Sequence, residues 1–187
     1  MRESATPQEL TSAWAAVANA QFEAYRIHFA GRSRVSRRPA LIERLLGNLE
    51  FAKTNMSTLI QAGHEVEINT KNRQRVRERL ESYGREAEAI RKAREEASVY
   101  DLIDSLGQEA NLVMSDYGNE FAGKNRATRD TVKMAGLLDR LVEVERQMWA
   151  LGRVYENETN ERNTGIVHDT LIVYGAEWQA IREAQSN

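Results

Sequence analysis

The feature that most constrains this chain is that it repeats itself. At an offset of 92 residues, FAGRSRVSR at 29–37 corresponds to FAGKNRATR at 121–129. One residue is then lost, the offset becomes 91, and YGREAEAIRKA at 83–93 corresponds to YGAEWQAIREA at 174–184. Over the aligned chain, 27 of 90 residue pairs are identical. Self-similarity over such a long period predicts one structural unit that occurs twice, over residues 6–97 and 98–187.

Each copy is expected to consist of three helices, A, B and C. Apolar residues recur at spacings of three and four, and strand-like alternation is scarce. In the first copy, Pro7 and Pro39 stand where helices A and B should begin. Gly31 and Gly63 stand where these helices should end, and helix C begins near Glu65. The sequence therefore predicts an all-α protein of two tandem three-helix repeats.

Helix C carries the pattern of a coiled-coil seam, because its apolar residues step by four and three. The seam residues are Val76, Leu80, Tyr83, Ala87 and Ile90 in the first copy, and Val167, Leu171, Tyr174, Trp178 and Ile181 in the second. Gly84 and Gly175 flank the seam in the middle of the helix, where glycine costs about 1 kcal/mol relative to alanine. We therefore expect a neighbouring helix to approach closely at both glycines.

The junction between the copies leaves two arrangements open. Thr6-Pro-Gln-Glu9 and Ser98-Val-Tyr-Asp101 are both expected to form capping boxes at the start of helix A. The box at the junction favours a break, after which the copies pack as a six-helix bundle-like domain with pseudo-twofold symmetry. The alternative is an elongated, spectrin-like array, since the junction EEASVYDL contains neither glycine nor proline.

The corner between helices A and B repeats its basic residues. These candidates for binding an anion or a partner are Arg32, Arg34 and Arg37 in the first copy, and Lys124, Arg126 and Arg129 in the second. Ser36 and Thr128 are expected to cap helix B, which would place Arg37 and Arg129 at its first position. A cation there faces the positive end of the helix dipole, so the corner should contain an anion. The anion is either Glu86 or Glu177 of helix C, or an external ligand or partner; the remaining alternative is that the corner is a solvated loop with no specific anion.

A second repeated polar group lies at the start of helix C. It comprises Glu67, Asn69 and Asn72, matched by Glu158, Asn160 and Asn163. By the heptad pattern, Asn69 and Asn160 fall on the seam itself. A buried asparagine can fix helix register at a cost in stability, so the group is interpreted as a polar network or as a polar pocket at one end of the bundle.

Composition and missing motifs limit the chemistry. The chain has no cysteine, which excludes disulfides and thiolate metal sites, and its net charge of −2 does not favour general binding to nucleic acid. The three histidines, His28, His64 and His168, do not recur between the copies, and no nucleotide-binding, hydrolase or metalloprotease motif is present. No signal peptide or membrane-spanning run is visible, so we expect a cytoplasmic protein with no cofactor, metal or membrane partner.

These features favour a non-enzymatic helical interaction or scaffold protein that associates with itself, as a homo-oligomer, or with a protein partner. The alternative is an anion-binding module that recognises nucleic acid or a phosphorylated ligand through the paired basic corners. Trp14, Trp149 and Trp178 each occur in one copy only. At helical spacing they are expected to be core residues, and the alternative is that they mark positions where the copies meet each other or a partner.

Overall fold

The computed structural model of the protein describes residues 5–186. The chain is all-helical, with 84% helix and no strand over the described residues. Its elements are α1 (Pro7–His28), α2 (Pro39–Gln61), α3 (Val66–Glu96), α4 (Val99–Glu120), a short 3-10 helix (Arg126–Thr128), α5 (Thr131–Gly152) and α6 (Glu158–Ser186). The predicted fold class, all-α, is confirmed.

The chain divides into two compact units. Unit 1 comprises Met1–Ala30 and Arg38–Glu95, and unit 2 comprises Gly31–Arg37 and Glu96–Asn187. The segment Gly31–Arg37, which joins α1 to α2 along the chain, thus belongs with the helices of unit 2. These units are discontinuous in the sequence, whereas the repeat boundaries predicted at 6–97 and 98–187 are continuous.

Local signals at the starts of α1 and α4 act as expected. The Thr6 side chain accepts a hydrogen bond from the Glu9 backbone N–H, and the Glu9 carboxylate accepts one from the Thr6 N–H. Ser98 and Asp101 form the same reciprocal pair, which separates α4 from α3. Each box satisfies backbone donors that the first helical turn leaves without partners.

Pro39 begins α2 as expected, but the predicted caps of helix B, Ser36 and Thr128, were wrong. The cap positions are Arg38 and Asp130, and the Asp130 carboxylate accepts from the backbone of Val132 and Lys133. Asp130 precedes a regular first turn, whereas Thr128 lies in the 3-10 helix. Arg37 and Arg129 therefore precede the helices rather than opening them, and the argument from the helix dipole does not apply to them.

Unit 1 packs α1, α2 and α3 around two apolar clusters. One cluster joins Ala18 of α1, Met56 of α2 and Val76 of α3, and the other lies around Phe29 and Ile90. Residues at the predicted heptad positions of α3 are buried, apart from Leu80, which is partly buried. The inward line of α3 is thus the one that its three- and four-residue spacing indicated.

Unit 2 packs α4, α5 and α6 around one continuous cluster, which extends from Ile103 to Ile181. In this unit α4 contacts α5, and α6 contacts both α5 and the 3-10 helix. Trp178 is partly buried against the cluster, whereas Trp149 of α5 is 58% exposed. Two tryptophans of the same unit therefore have different environments.

The close approach expected at Gly84 and Gly175 is wrong. A Cβ added at either glycine would meet no heavy atom within 4 Å among the described residues. The glycines that do turn the backbone are others. Gly31, Gly63 and Gly123 have φ values of +72°, +78° and +73°, in the left-handed region that favours glycine after a helix.

Candidate functional site

The basic corner of unit 2 is closed by a carboxylate of the same unit. Arg126 donates two hydrogen bonds to Glu177 of α6, at 3.0 Å from Nε and 2.8 Å from Nη2. Arg129 pairs with the same carboxylate through Nη1, and its Nε and Nη2 donate to the Lys124 carbonyl. Gln185 adds a hydrogen bond to the Arg129 carbonyl at 2.7 Å.

This arrangement lowers the pKa of Glu177. Hydrogen bonds from Arg126 are the largest cause, burial opposes them, and the Arg129 guanidinium adds a further lowering. The same contact raises the pKa of Arg126. Arg129 is nearly buried at 8% side-chain exposure, while Arg126 remains 54% exposed. The two cations thus share Glu177 as their counter-ion. This carboxylate is one of the anions predicted from the sequence for the corner.

The first basic corner has a different environment. Arg32 of the segment Gly31–Arg37 pairs with Glu109 of α4, with 2.8 Å between Arg32 Nη1 and Glu109 Oε1. Arg140 of α5 donates from Nε to the same oxygen at 3.0 Å, and from Nη1 to Asp116 at 2.8 Å. Arg32, Glu109 and Arg140 are each less than 10% exposed at the side chain. One buried carboxylate therefore links two buried guanidinium groups.

Burial dominates the electrostatics of Arg32. Loss of hydration lowers the pKa of Arg32 to about 10, against the opposing attraction of Glu109. Two hydrogen bonds between uncharged groups also hold the segment Gly31–Arg37 to α4 and α5. Ser105 Oγ lies 2.6 Å from Ser33 Oγ, and Gln147 donates to the Ser36 carbonyl at 3.1 Å. The segment is fixed by α4 and α5 side chains, so Arg32 is a structural cation rather than an open anion site.

The other corner candidates lie in varied environments. Arg34 is exposed, whereas Arg37 is buried and its guanidinium donates to the Arg32 carbonyl. Lys124 is exposed, and its backbone carbonyl receives Arg129. The two corners therefore correspond at Arg34 and Arg126 and at Arg37 and Arg129, and they differ at Arg32 and Lys124.

Sequence reasoning missed Glu109 and Arg140. In the repeat alignment their counterparts are Val17 and Asn48, so neither recurs. A signal was present nevertheless: Arg140 interrupts the apolar line of α5 between Leu137 and Val144. A charged residue on a buried helix face needs a partner, and that requirement points to a carboxylate on another element.

The asparagines at the starts of α3 and α6 each form hydrogen bonds inside their own unit. The Asn69 amide donates to Thr11 Oγ1 at 3.0 Å and to the His64 carbonyl, whereas the Asn160 amide donates to the Met148 carbonyl at 3.0 Å. Both asparagines are buried, as their seam positions predicted. The remaining members lie outside this core: Glu67 and Glu158 are exposed, and Asn72 and Asn163 are partly buried.

The outward side of α6 carries apolar residues that unit 2 does not bury. Ile166, Ile172 and Val173 are 48%, 61% and 62% exposed. At 100° per residue they lie on the side of the helix opposite the buried line through Val167 and Tyr174. We call this surface the α6 outer face. It comprises Arg162, Gly165, Ile166, Asp169, Ile172, Val173, Ala176, Ala180 and Glu183.

The histidine and carboxylate side chains of the described residues are not grouped as metal ligands. Across residues 5–186, no group of three or more histidine and carboxylate side chains is placed to hold a metal ion. His168 contacts Glu145 through Nδ1 at 2.7 Å, as a surface pair. None of the helices in this part of the chain has the length and apolar character needed to cross a membrane.

Together these observations define an all-helical protein whose polar groups mainly fix its own structure. No family model, curated protein or solved structure matches the chain. Its function therefore has to be argued from its own surfaces.

Proposed function

We propose that this protein is a non-enzymatic scaffold that associates with a second copy of itself through the α6 outer face. The main observation in its favour is that the apolar side chains of Ile166, Ile172 and Val173 are exposed. Exposed apolar residues that cluster on one helix face are typical of surfaces that bind another protein. The association buries this face and brings two molecules together, which is the activity of a scaffold.

The proposal includes the descent of the two units from one three-helix ancestor. Tyr25 stacks on Tyr83 in unit 1 with ring centroids 3.8 Å apart, and Tyr117 stacks on Tyr174 in unit 2 at 3.9 Å. These tyrosines are aligned with each other in the repeat. Equivalent residues thus make equivalent contacts inside each unit, which supports a duplication.

Because the sequence is duplicated, the surface residues of α6 can be compared with the aligned residues of α3. The α3 positions that align with Ile172 and Val173 are Glu81 and Ser82, and both are exposed. The three-helix unit therefore does not require apolar residues at these positions. An exposed isoleucine and valine in place of glutamate and serine suit burial against another molecule.

Charge at the two ends of the face favours a second copy as the partner. In an antiparallel α6–α6 pair centred between Ile172 and Val173, Arg162 of one molecule lies opposite Glu183 of the other. Both residues are exposed, and the twofold symmetry of such a pair forms the contact twice. In the same register, Gly165 lies opposite Ala180, so the helices can approach closely there.

The basic corners support the alternative function less well. Arg126 and Arg129 already share Glu177, and Arg32 is buried against Glu109. An external anion would have to displace carboxylates that hold the unit together. We therefore do not assign anion binding to the corners.

Self-association is tested by replacing the centre of the α6 outer face with the residues of α3. Sedimentation equilibrium of wild-type protein at 1–100 µM should show a monomer–dimer equilibrium. Ile172→Glu combined with Val173→Ser should weaken the dimer at least tenfold, because two glutamates would be buried near the symmetry axis. The helix content of the monomer should not change. Its free energy of unfolding should change by less than about 0.5 kcal/mol, as for exposed positions in general.

The matched control is Val132→Glu with Val142→Ser, since both valines are exposed on α5. This variant also introduces one glutamate and one serine in place of exposed apolar residues of unit 2, but outside the α6 outer face, and it should dimerise like wild type. A wild-type protein that remains monomeric at 100 µM contradicts the proposal. Equal loss of dimer in the control and the test variant contradicts the location of the interface.

A further inference from the structure

The first half of α3 carries an unusual density of positive charge. Between residues 71 and 79, every second residue is basic: Lys71, Arg73, Arg75, Arg77 and Arg79. All are exposed except Arg73, which is partly exposed. Among the described residues, none of the five forms an ion pair with a carboxylate. The protein therefore supplies little internal neutralisation for this segment.

This spacing is unfavourable for the helix on its own. Lys71 and Arg75, Arg75 and Arg79, and Arg73 and Arg77 are all pairs of like charge four residues apart. Such pairs face each other on an α-helix and destabilise it. Glu78 is the one acidic residue in the segment, and it accepts a hydrogen bond from Gln74 at 2.8 Å. An external polyanion would relieve this repulsion.

An aromatic side chain of α1 organises two of the cations. The Arg75 and Arg79 guanidinium carbons lie 5.0 Å and 5.8 Å from the centre of the Phe22 ring. Both distances are within the range of a cation–π interaction. The contact restricts two long side chains beside α1 while leaving them exposed, which reduces the entropy lost when they bind a ligand.

Lys71, Arg75 and Arg79 form what we call the α3 basic row. Positions separated by four residues lie along one side of a helix, and the row spans about 12 Å at 1.5 Å per residue. Val76 and Tyr83 of the same helix point into the core of unit 1. The exposed apolar residues of α3, Val66 and Ile68, lie before the row. No exposed apolar side chain lies among residues 71–79, whereas a membrane-surface helix needs an apolar face.

We propose that the α3 basic row binds the phosphate backbone of a nucleic acid. A line of cations along a rigid helix matches a line of phosphates, and Arg75 and Arg79 can each donate several hydrogen bonds to phosphate oxygens. The row presents no aromatic face on which a base could stack, because the guanidinium groups of Arg75 and Arg79 lie over the Phe22 ring. Binding is therefore independent of sequence and sensitive to salt.

The corresponding segment of α6 provides an internal contrast. The residues aligned with Arg75 and Arg79 are Ile166 and Thr170, and only Lys71 retains a cationic counterpart, in Arg162. Unit 2 therefore forms the same helix without the charge row. The row is a property of unit 1 and not a requirement of the three-helix arrangement.

The test is fluorescence anisotropy of the full chain with a labelled 20-nucleotide RNA and with a DNA duplex of the same length, at 25–200 mM salt. Wild type should bind both at low salt. Lys71→Gln, Arg75→Gln and Arg79→Gln together should weaken binding at least tenfold. The slope of log K against log salt should fall by about 0.9 per lost contact on the duplex and about 0.7 on the single strand.

A charge-matched control replaces three exposed arginines of unit 2, Arg146, Arg153 and Arg182, with glutamine. This control has the same net charge as the test variant and should keep most of the affinity. The proposal is overturned if wild type does not bind at 25 mM salt, or if test and control lose affinity equally. Binding to phosphatidylserine vesicles in preference to both nucleic acids would also overturn it. Circular dichroism melting should show that the test variant folds, since it removes repulsion.

Discussion

Helices α3 and α6 have the same inner surface and opposite outer surfaces. Val76, Tyr83 and Ile90 are buried in unit 1, and Val167, Tyr174 and Ile181 are buried in unit 2 at the aligned positions. On the outside, α3 has arginine, glutamate and serine where α6 has two isoleucines and a valine. The core residues satisfy the packing of each unit, so they differ little. The outer residues are not constrained by that packing and can serve different partners.

The two basic corners differ at one aligned position, Arg32 against Lys124. In unit 2, Arg126 and Arg129 are neutralised by Glu177 of the same unit. Arg32 instead pairs with Glu109, for which the repeat alignment offers no counterpart. Arg32 and Lys124 thus have different environments at aligned positions, because the residue that aligns with Glu109 in the other copy is Val17. Repeated residues can be read from the sequence, but the partners of repeated residues depend on the whole unit.

The largest expected effect comes from replacing the buried Glu109 of α4 with valine, the residue at the aligned position of α1. Glu109→Val should lower the free energy of unfolding by about 3–5 kcal/mol, because Arg32 and Arg140 would remain buried without their shared counter-ion. Urea denaturation followed by circular dichroism measures the change. As a control, Asp116→Ala removes a half-exposed partner of Arg140 and should cost about 1 kcal/mol or less. Equal effects of the two changes would contradict the buried pairing.

An intermediate effect is expected at the corner of unit 2. Glu177→Gln should lower the free energy of unfolding by about 1–3 kcal/mol at pH 7, since the nearly buried Arg129 would lose its charged partner. The pKa of Glu177 lies below its ordinary value of 4.5. Its contribution is therefore complete above pH 4.5 and is lost as the pH falls through the lowered pKa.

The pH dependence provides the control for this variant. The stability difference between wild type and Glu177→Gln should be constant from pH 7 to about pH 5 and should shrink below pH 4.5. Denaturation at several pH values measures it. A difference that stays unchanged at pH 3 would show that Glu177 acts through its shape and not through its charge.

Much of the framework could be predicted from the sequence, because helical periodicity and capping are local signals. The capping boxes at Thr6 and Ser98, the turn at Gly31 and the burial of Asn69 all follow from short patterns. The start of α5 at Asp130 was missed, because Thr128 is an equally good cap in sequence terms and only the 3-10 turn excludes it. The pairing of Arg32 with Glu109 depends on contacts between residues far apart in the chain, which no local pattern specifies.

The smallest expected effect concerns the mid-helix glycines. Gly84→Ala and Gly175→Ala should each raise the free energy of unfolding by about 0.5–1 kcal/mol, because the added Cβ meets nothing within 4 Å and alanine is the better helix former. Thermal melting of the two single variants measures the gain. A loss of stability at either position would show that a close neighbour is present there after all.

The central claim is that the outer surface of α6, unlike that of α3, joins two molecules in a defined antiparallel register. Sedimentation equilibrium of a charge-swap series tests it most directly. Arg162→Glu and Glu183→Arg should each weaken the dimer severalfold, because each places like charges opposite one another twice. The double variant should restore wild-type association by reversing both partners. Single variants that dimerise normally, or a double variant weaker than either single one, would contradict the register.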